Sequence, residues 1–200
     1  MRITGGTLRS RSLRAPRGRS TRPTSDRVRE ALFGILGSLG GIDRARVLDL
    51  YAGTGALGLE ALSRGAAHAI LVESSREALV AVRANVEALG QRDHARVVAG
   101  HVRGTIGRIV REGPFDLVLA DPPWALVDEG EAAAALSDLA RAGGLSDHAL
   151  VVLEHAARSA PPQIELLVRG ETRRYGDTAL TFYKPAILAP PRPDARPTSE

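Results

Sequence analysis

Short apolar segments alternate with helical patterns through the middle of the chain, and this alternation limits the fold more than any other feature of the sequence. The predicted strands are the apolar runs 45–50, 68–73, 95–100, 115–121 and 149–155. Helical patterns stand between them at 56–65, 75–90, 102–111 and 129–143. Strands that alternate with helices form parallel β–α–β units, and apolar strand runs fit a sheet covered on both faces. The sequence therefore predicts an α/β protein with a doubly wound, mostly parallel, Rossmann-like sheet.

The two ends of the chain follow other patterns. The segments IELLVRGETRRY and DTALTFYK meet at Gly176 and Asp177 with no helix between them, which predicts an antiparallel strand pair at the sheet edge and brings the sheet to seven strands. MRITGGTLRSRSLRAP predicts a short hairpin that bends near Gly5 and Gly6. We expect a basic N-terminal hairpin or arm over 1–23, a main domain over 24–189 and a disordered tail over the proline-rich 190–200. The main domain should begin with a helix for which Thr24, Ser25 and Asp26 are the candidate N-caps.

The positive charge is concentrated in the first thirty residues. The sequence pI is about 10.2, the formal net charge is +4, and arginine supplies the positive charge almost alone. A one-sided cluster of arginines is typical of a surface that binds phosphates, although a genome rich in arginine codons or a solvated arm without a partner would also produce it. The candidate phosphate-binding residues are Arg2, Arg9, Arg11, Arg14, Arg22 and Arg27.

Composition excludes several other functions. The chain has no cysteine, which rules out disulfides, thiolate metal sites and a cysteine nucleophile. The histidines show no metal-ligand spacing, so we expect no metal. No apolar run is long enough to span a bilayer, and the arginine-rich start is followed by no apolar stretch. We therefore expect a cytoplasmic protein with neither a signal peptide nor a membrane anchor.

A glycine-rich turn joins the first predicted strand to the next helix in VLDLYAGTGALGLEAL. The letters G-T-G-A-L-G match the dinucleotide-binding fingerprint, and Glu73 ends the following strand, where an acid that binds ribose is expected. Asp49 separates two interpretations. It would repel the pyrophosphate of NAD, whereas it would attract the ammonium group of S-adenosylmethionine. The candidate cofactor residues of this region are Asp49, Tyr51, Gly53, Thr54, Gly55, Leu57, Glu73 and Ser74.

A second motif, DPPW, follows the strand 115–121. Ligands of open α/β sheets bind at the carboxyl ends of the strands, which is where Asp121 would lie. Pro122 and Pro123 lack backbone N–H groups, so the loop would present carbonyl and carboxylate oxygens to a substrate amine. Trp124 would stack on a planar ring. The same four residues would also be found if the prolines only ended the strand and Trp124 packed in the core. The neighbouring glycine turn favours a catalytic loop instead.

These motifs together resemble those of the bacterial 16S ribosomal RNA guanine-N2 methyltransferases, a class I S-adenosylmethionine-dependent family. The resemblance covers roughly residues 1–185. Its segments are MRITGGTLRSRSL, TRPTSDRVREALFGIL, VLDLYAGTGALGLEALSRGA, DLVLADPPW and RRYGDTALTFYK. It implies methyl transfer to a guanine of the small-subunit RNA by a monomer that acts on an assembly particle. By the same resemblance, the arginines of the N-terminal cluster are the candidate RNA-binding residues. The chain departs from the family pattern at Trp124, where tyrosine is usual, and at His101, where an acid often contacts adenine. The resemblance therefore makes His101 a further candidate cofactor residue.

The DPPW loop alone leaves the substrate open. A DNA amine methyltransferase or a protein glutamine methyltransferase would need the same amine acceptors, and only the basic N-terminus favours nucleic acid over protein. A module that binds RNA or a nucleotide without catalysis is a different class of function, and an NAD oxidoreductase is a more distant one.

Overall fold

The computed structural model describes residues 1–15 and 26–186. The strands are β1 (Arg46–Leu50), β2 (His68–Glu73), β3 (Ala95–Ala99), β4 (Phe115–Ala120), β5 (Leu145–Ala156), β6 (Leu167–Tyr175) and β7 (Thr178–Pro185). The helices are α1 (Asp26–Ser38), α2 (Ala56–Ser63), α3 (Arg76–Ala88), α4 (Val102–Ile109), α5 (Trp124–Asp128) and α6 (Glu131–Arg141), with a 3₁₀ turn at Val110–Glu112.

The strands form one seven-stranded sheet in the order β3-β2-β1-β4-β5-β7-β6. Neighbours from β3 to β5 are parallel, whereas β7 is antiparallel to both β5 and β6. The chain leaves β1 for β2 on one side and later returns to β4 on the other. The prediction of a doubly wound, mostly parallel sheet with a C-terminal antiparallel pair is confirmed.

Two apolar layers cover the sheet, because alternate residues of each strand point to opposite faces. Val47 of β1 belongs to a cluster with Leu36 of α1 and Leu59 of α2, while Leu48 belongs to a second cluster with Leu136 of α6. Helices α1, α2 and α3 therefore lie on the first face, and α4, α5 and α6 on the second. Asp49 points to the first face, towards α2, in a position where the neighbouring strand residues are apolar.

Several element boundaries differ from the sequence prediction. Strand β5 begins at Leu145 rather than at residue 149, because Leu145 already pairs with Phe115 of β4, ahead of a shift in register. The weak helical pattern 102–111 divides into α4 and the 3₁₀ turn. Trp124 opens the short helix α5, which the sequence did not predict. Pro123, with φ −48° and ψ 132°, precedes it.

The N-terminal segment packs on the main domain. Arg2 and Ser12 form an antiparallel bridge, and the amide of Ile3 donates to the carbonyl of Arg11 at 2.9 Å. Ile3 is completely buried in the first apolar cluster, and Leu13 is 6% exposed there. The predicted hairpin therefore shares the core of the first face. The predicted helix caps at Thr24 and Ser25 and the predicted tail 190–200 lie outside the described residues. No helix in the described part of the chain is long and apolar enough to cross a membrane.

Candidate active site

Three parallel strands end side by side at the edge of the sheet where the candidate residues stand. Leu50 of β1 pairs with Val72 of β2 and with Ala120 of β4, so the segments that follow these strands begin at the same level. The amide of Asp121 donates to the carbonyl of Leu50 at 3.4 Å, which joins the DPPW loop to the start of the glycine turn. The structure thus brings the two motifs together at the carboxyl edge.

The glycine turn has a conformation that only glycine adopts without strain. Gly53 has φ 57° and Gly55 has φ 78°, both in the left-handed region. A Cβ atom on Gly55 would lie 2.7 Å from Cγ2 of Val82, and one on Gly58 would lie 2.2 Å from Cδ2 of Leu71. Close packing of α2 against the sheet and α3 therefore explains the second and third glycines of the fingerprint, while Gly53 has open space around it.

Asp49 is the most perturbed carboxyl group of the site. It is completely buried, and its Oδ2 accepts a hydrogen bond from the amide of Gly58 at 2.9 Å. Among the described residues, its Oδ1 has no hydrogen-bond partner. Burial raises the pKa of Asp49 from 3.8 to about 8, and the nearby charges of Asp121 and Glu73 add to this rise. A positively charged group placed beside Oδ1 would complete its coordination and lower that pKa.

Glu73 shapes the turn through its backbone contacts. Its Oε2 accepts from the amide of Gly53 at 2.7 Å, and its Oε1 accepts from the amides of Ser74 and Ser75 at 2.7 Å each. Each carboxylate oxygen has about two lone pairs, so Oε2 retains the capacity for one further donor such as a ribose hydroxyl. Ser74 is exposed, and its backbone amide contributes to the site as a donor to Glu73.

The DPPW loop combines a buried proline with an accessible aromatic ring. Pro122 is buried, Pro123 is exposed, and Asp121 and Trp124 are half-buried. The carbonyl of Pro123 accepts from the amide of Leu126 at 2.9 Å, which fixes the start of α5. The loop therefore leaves the sheet at Asp121 and places Trp124 within four residues of the strand end.

The other candidate cofactor residues occupy different environments. The ring of Tyr51 packs against the apolar cluster of the second face, and burial raises its pKa to about 12. Leu57 belongs to the cluster of the first face. The backbone of Thr54 is part of the turn, and its side chain is buried. His101 is exposed at the start of α4, and its side chain makes no cap hydrogen bond.

Most of the candidate RNA-binding arginines are accessible. Arg2, Arg9, Arg11, Arg14 and Arg27 are exposed, and Arg22 lies outside the described residues. One other arginine of the basic cluster serves a different purpose. Arg29 is completely buried and pairs with Asp26 at 2.9 Å, so its charge does not contribute to the basic surface that the arginine count suggested.

Sequence reasoning missed two buried polar residues that attach the hairpin to the site. The carboxylate of Glu60 accepts from the amides of Thr4 and Gly5 at 2.7 and 2.8 Å. The side chain of Asn85 donates to the carbonyl of Thr54 at 2.9 Å and bonds both backbone groups of Arg14 at 2.8 and 3.1 Å. Polar residues on the sheet-facing side of a helix were the available signal, since such residues are buried only with partners. In the described part of the chain, no three histidine, aspartate or glutamate side chains gather as metal ligands would.

The fold, the glycine turn and the adjacent acidic loop define the class of this protein: it is a class I methyltransferase. Comparison with known proteins gives the family. The chain belongs to the family described as conserved hypothetical protein 95, whose model matches residues 1–184.

Relatives of this family carry related descriptions. The chain is 36% identical over 186 residues to a putative rRNA methyltransferase of Bacillus subtilis, covering 92% of this chain and 98% of the relative. It is 37% identical over 166 residues to the ribosomal RNA small subunit methyltransferase D of Escherichia coli, covering 82% of this chain and 79% of the relative. A solved structure described as a putative methyltransferase from Escherichia coli superposes with a TM-score of 0.77 at 35% identity, covering 92% of this chain and 97% of that one.

Proposed function

We propose that this protein transfers a methyl group from S-adenosylmethionine to the exocyclic N2 amine of a guanine in 16S ribosomal RNA. The observation that carries the proposal is the meeting of the Asp49 turn and the DPPW loop at one sheet edge, where the amide of Asp121 donates to the carbonyl of Leu50. The described relatives, which are named for ribosomal RNA methylation, support the choice of substrate.

The residues of the turn fit S-adenosylmethionine better than a dinucleotide. Oδ1 of Asp49 is buried without a partner in the described structure, and a carboxyl group in that state favours a cation such as the ammonium of the methionyl end. A pyrophosphate at the same place would face the carboxyls of Asp49, Glu73 and Asp121. The remaining capacity of Glu73 Oε2 suits a ribose hydroxyl. When bound, S-adenosylmethionine supplies a methyl group on a positively charged sulfur.

The DPPW loop suits an aromatic amine as the acceptor. The lone pair of such an amine is delocalised into the ring, so it is a poor nucleophile. The carboxylate of Asp121 and the carbonyl of Pro122 accept the two amine hydrogens, and Trp124 holds the ring by stacking. The rate then depends on positioning and electrostatic stabilisation rather than on a strong base.

The basic hairpin provides the docking surface for RNA. Arg2, Arg9, Arg11 and Arg14 are exposed on a segment whose backbone is held by Glu60 and Asn85. Asn85 also bonds the carbonyl of Thr54, so this basic surface is anchored beside the glycine turn. There it positions the RNA backbone, while the DPPW loop selects the base. Within this proposal the protein works as a monomer in the cytoplasm, on a small-subunit assembly particle.

Methyl transfer to RNA tests the proposal. The purified protein is incubated with labelled S-adenosylmethionine and with naked 16S RNA, partially assembled small subunits, duplex DNA or a glutamine peptide, and the modified position is mapped. We expect label on the N2 of one guanine of 16S RNA. Label only on DNA or on the peptide would assign one of the alternative substrates, and absence of transfer to every RNA would refute the proposal.

Variants separate catalysis from binding. Asp121→Ala should abolish transfer while S-adenosylmethionine still binds in a calorimetric titration. Asp147→Ala is the matched control, because Asp147 is an exposed residue near the opposite end of the sheet, where β5 begins. Retained activity in Asp121→Ala would remove that carboxylate from its role. Combined replacement of Arg9, Arg11 and Arg14 by Ala should weaken RNA binding and reduce its salt dependence.

A further inference from the structure

The turn that follows β5 lies beside the DPPW loop. Strand β5 is parallel to β4, so its carboxyl end reaches the same sheet edge as Asp121. Two hydrogen bonds fix this turn. The hydroxyl of Ser159 donates to Oδ1 of Asp128 at the end of α5, at 3.0 Å. The amide of Ala157 donates to the carbonyl of Asp177 between β6 and β7, at 2.8 Å. Arg158 stands between these two attachments.

The guanidinium of Arg158 lies over the ring of Trp124. Its Cζ is 5.8 Å from the ring centroid, which is within the range of a cation–π contact. The Arg158 residue is exposed, so its long side chain can shift while its backbone stays in place. Bases of unpaired nucleotides stack both on aromatic rings and on guanidinium planes.

We propose that Arg158 and Trp124 form a two-sided clamp for the target base. This inference rests on the proposed function and adds a positioning residue to it. A base between two planar groups needs a separation of about 7 Å, since each stacked layer requires about 3.5 Å. The present distance of 5.8 Å between Cζ and the ring centroid is shorter than this separation, so the guanidinium has to move outward to admit a base. Arg158 covers the Trp124 ring in the free protein and closes over the base when the nucleotide enters.

A base clamp and a phosphate contact make different demands on residue 158. A clamp uses the flat guanidinium as a stacking surface, which lysine lacks, whereas a phosphate contact mainly needs positive charge. Arg158→Ala and Arg158→Lys therefore have the same defect if the side chain stacks, and different defects if it binds phosphate. Arg111→Ala is the matched control, because Arg111 is exposed in the 3₁₀ turn before β4, at the opposite edge of the sheet.

Tryptophan fluorescence reports directly on the clamp, because Trp124 is the only tryptophan of the chain. A 16S RNA fragment that contains the methylated guanine, or the whole 16S RNA if no guanine is methylated, is titrated into the protein. Binding is followed separately by anisotropy of a dye on the RNA. In the wild type we expect quenching of Trp124 at saturation. In Arg158→Ala and Arg158→Lys the quenching should be largely lost while RNA affinity changes less than about three-fold, since backbone contacts dominate affinity.

Single-turnover methyl transfer gives the second measurement. At saturating RNA, both Arg158 variants should be slower by about ten-fold or more, which is the loss typical of removing one stacking partner of a base. Arg111→Ala should match the wild type in rate and in quenching. Thermal unfolding and S-adenosylmethionine binding verify that each variant is folded, and Arg158→Lys keeps the test available if Arg158→Ala fails to fold.

The possible outcomes separate the clamp from the proposed function. Equal quenching in wild type and Arg158→Ala, or full activity in Arg158→Lys, would overturn the clamp and leave methyl transfer standing. No quenching of wild-type Trp124 by any bound RNA would also overturn it. Quenching that depends on Arg158 without any methyl transfer would support the clamp while refuting the proposed function.

Discussion

Asp49→Asn is predicted to stabilise the free protein at neutral pH and to weaken cofactor binding. In the folded protein, burial raises the pKa of Asp49 from 3.8 to about 8. Between pH 3.8 and about 8, the carboxyl group of Asp49 is therefore ionised in the unfolded chain but still protonated in the folded protein. Stability from this group is therefore fully present below pH 3.8 and is lost as the pH rises towards 8.

The size of the effect follows from the shift. Each pKa unit corresponds to about 1.4 kcal/mol, so the loss at pH 7 relative to low pH is about 4 kcal/mol. Asparagine has nearly the same shape, its Oδ1 can accept the amide of Gly58, and it has no charge to desolvate. The advantage of Asp49→Asn over the wild type should thus increase by about 1.4 kcal/mol per pH unit between pH 5 and pH 7.

Urea unfolding of both proteins at several pH values measures this difference, because all other titrating groups are common to both and cancel. Asp93→Asn, at an exposed turn, is the control for the same chemical change at the surface, where substitutions alter stability by about 0.5 kcal/mol or less. If Asp49 binds the methionyl ammonium as proposed, binding of S-adenosylmethionine to Asp49→Asn should weaken by about ten-fold or more, since that charge-assisted contact would be lost. A stability difference that stays constant from pH 5 to pH 8 would refute the reasoning.

Three further predictions concern the turn and its supports. Gly55→Ala should lower the free energy of unfolding, measured in urea, by about 2–4 kcal/mol, because φ 78° is unfavourable for alanine and the new Cβ would lie 2.7 Å from Val82. The control is Gly104→Ala, in open space on α4, which should be neutral or stabilising in the same experiment. Glu60→Gln should lower the free energy of unfolding by about 3 kcal/mol and increase hydrogen exchange at the amides of Thr4 and Gly5. The reason is that a side-chain NH₂ donor would replace one of the carboxylate oxygens that accept from these amides, and unchanged protection would contradict it. Asn85→Leu should weaken S-adenosylmethionine binding in calorimetry, since the carbonyl of Thr54 loses its donor, and equal affinity would show that the turn does not need this bond.

The parts of the fold that depend on local pattern were predictable. The apolar runs located β2 at residues 68–73 and placed the other parallel strands to within a few residues, because a strand buried on both faces must be apolar throughout. Gly176 and Asp177 correctly predicted the turn between the antiparallel strands β6 and β7. The start of β5 was missed because its polar residues lie at the sheet margin, where water remains available to them.

The candidate site was predictable only where the chemistry lies in contiguous letters. The glycine turn and the DPPW loop are each read from one short segment, and their strands adjoin because the sheet is parallel. No local pattern marks Glu60, Asn85 or Arg158, because each contacts a segment that lies between about thirty and seventy residues away in the sequence. Arg29 shows the converse problem, because the sequence places it in a basic cluster whereas in the structure it is buried and pairs with Asp26 and Glu60.

The three backbone amides on Glu73 have a consequence for how a ligand enters. Gly53, Ser74 and Ser75 are held by hydrogen bonds within the protein itself, so the wall around the proposed ribose position is already shaped. Little conformational entropy remains to be lost on association, and compounds that are themselves rigid should bind with little further loss. Stiff mimics of a nucleoside, rather than flexible ones, are therefore the suitable starting points for inhibitors of this enzyme.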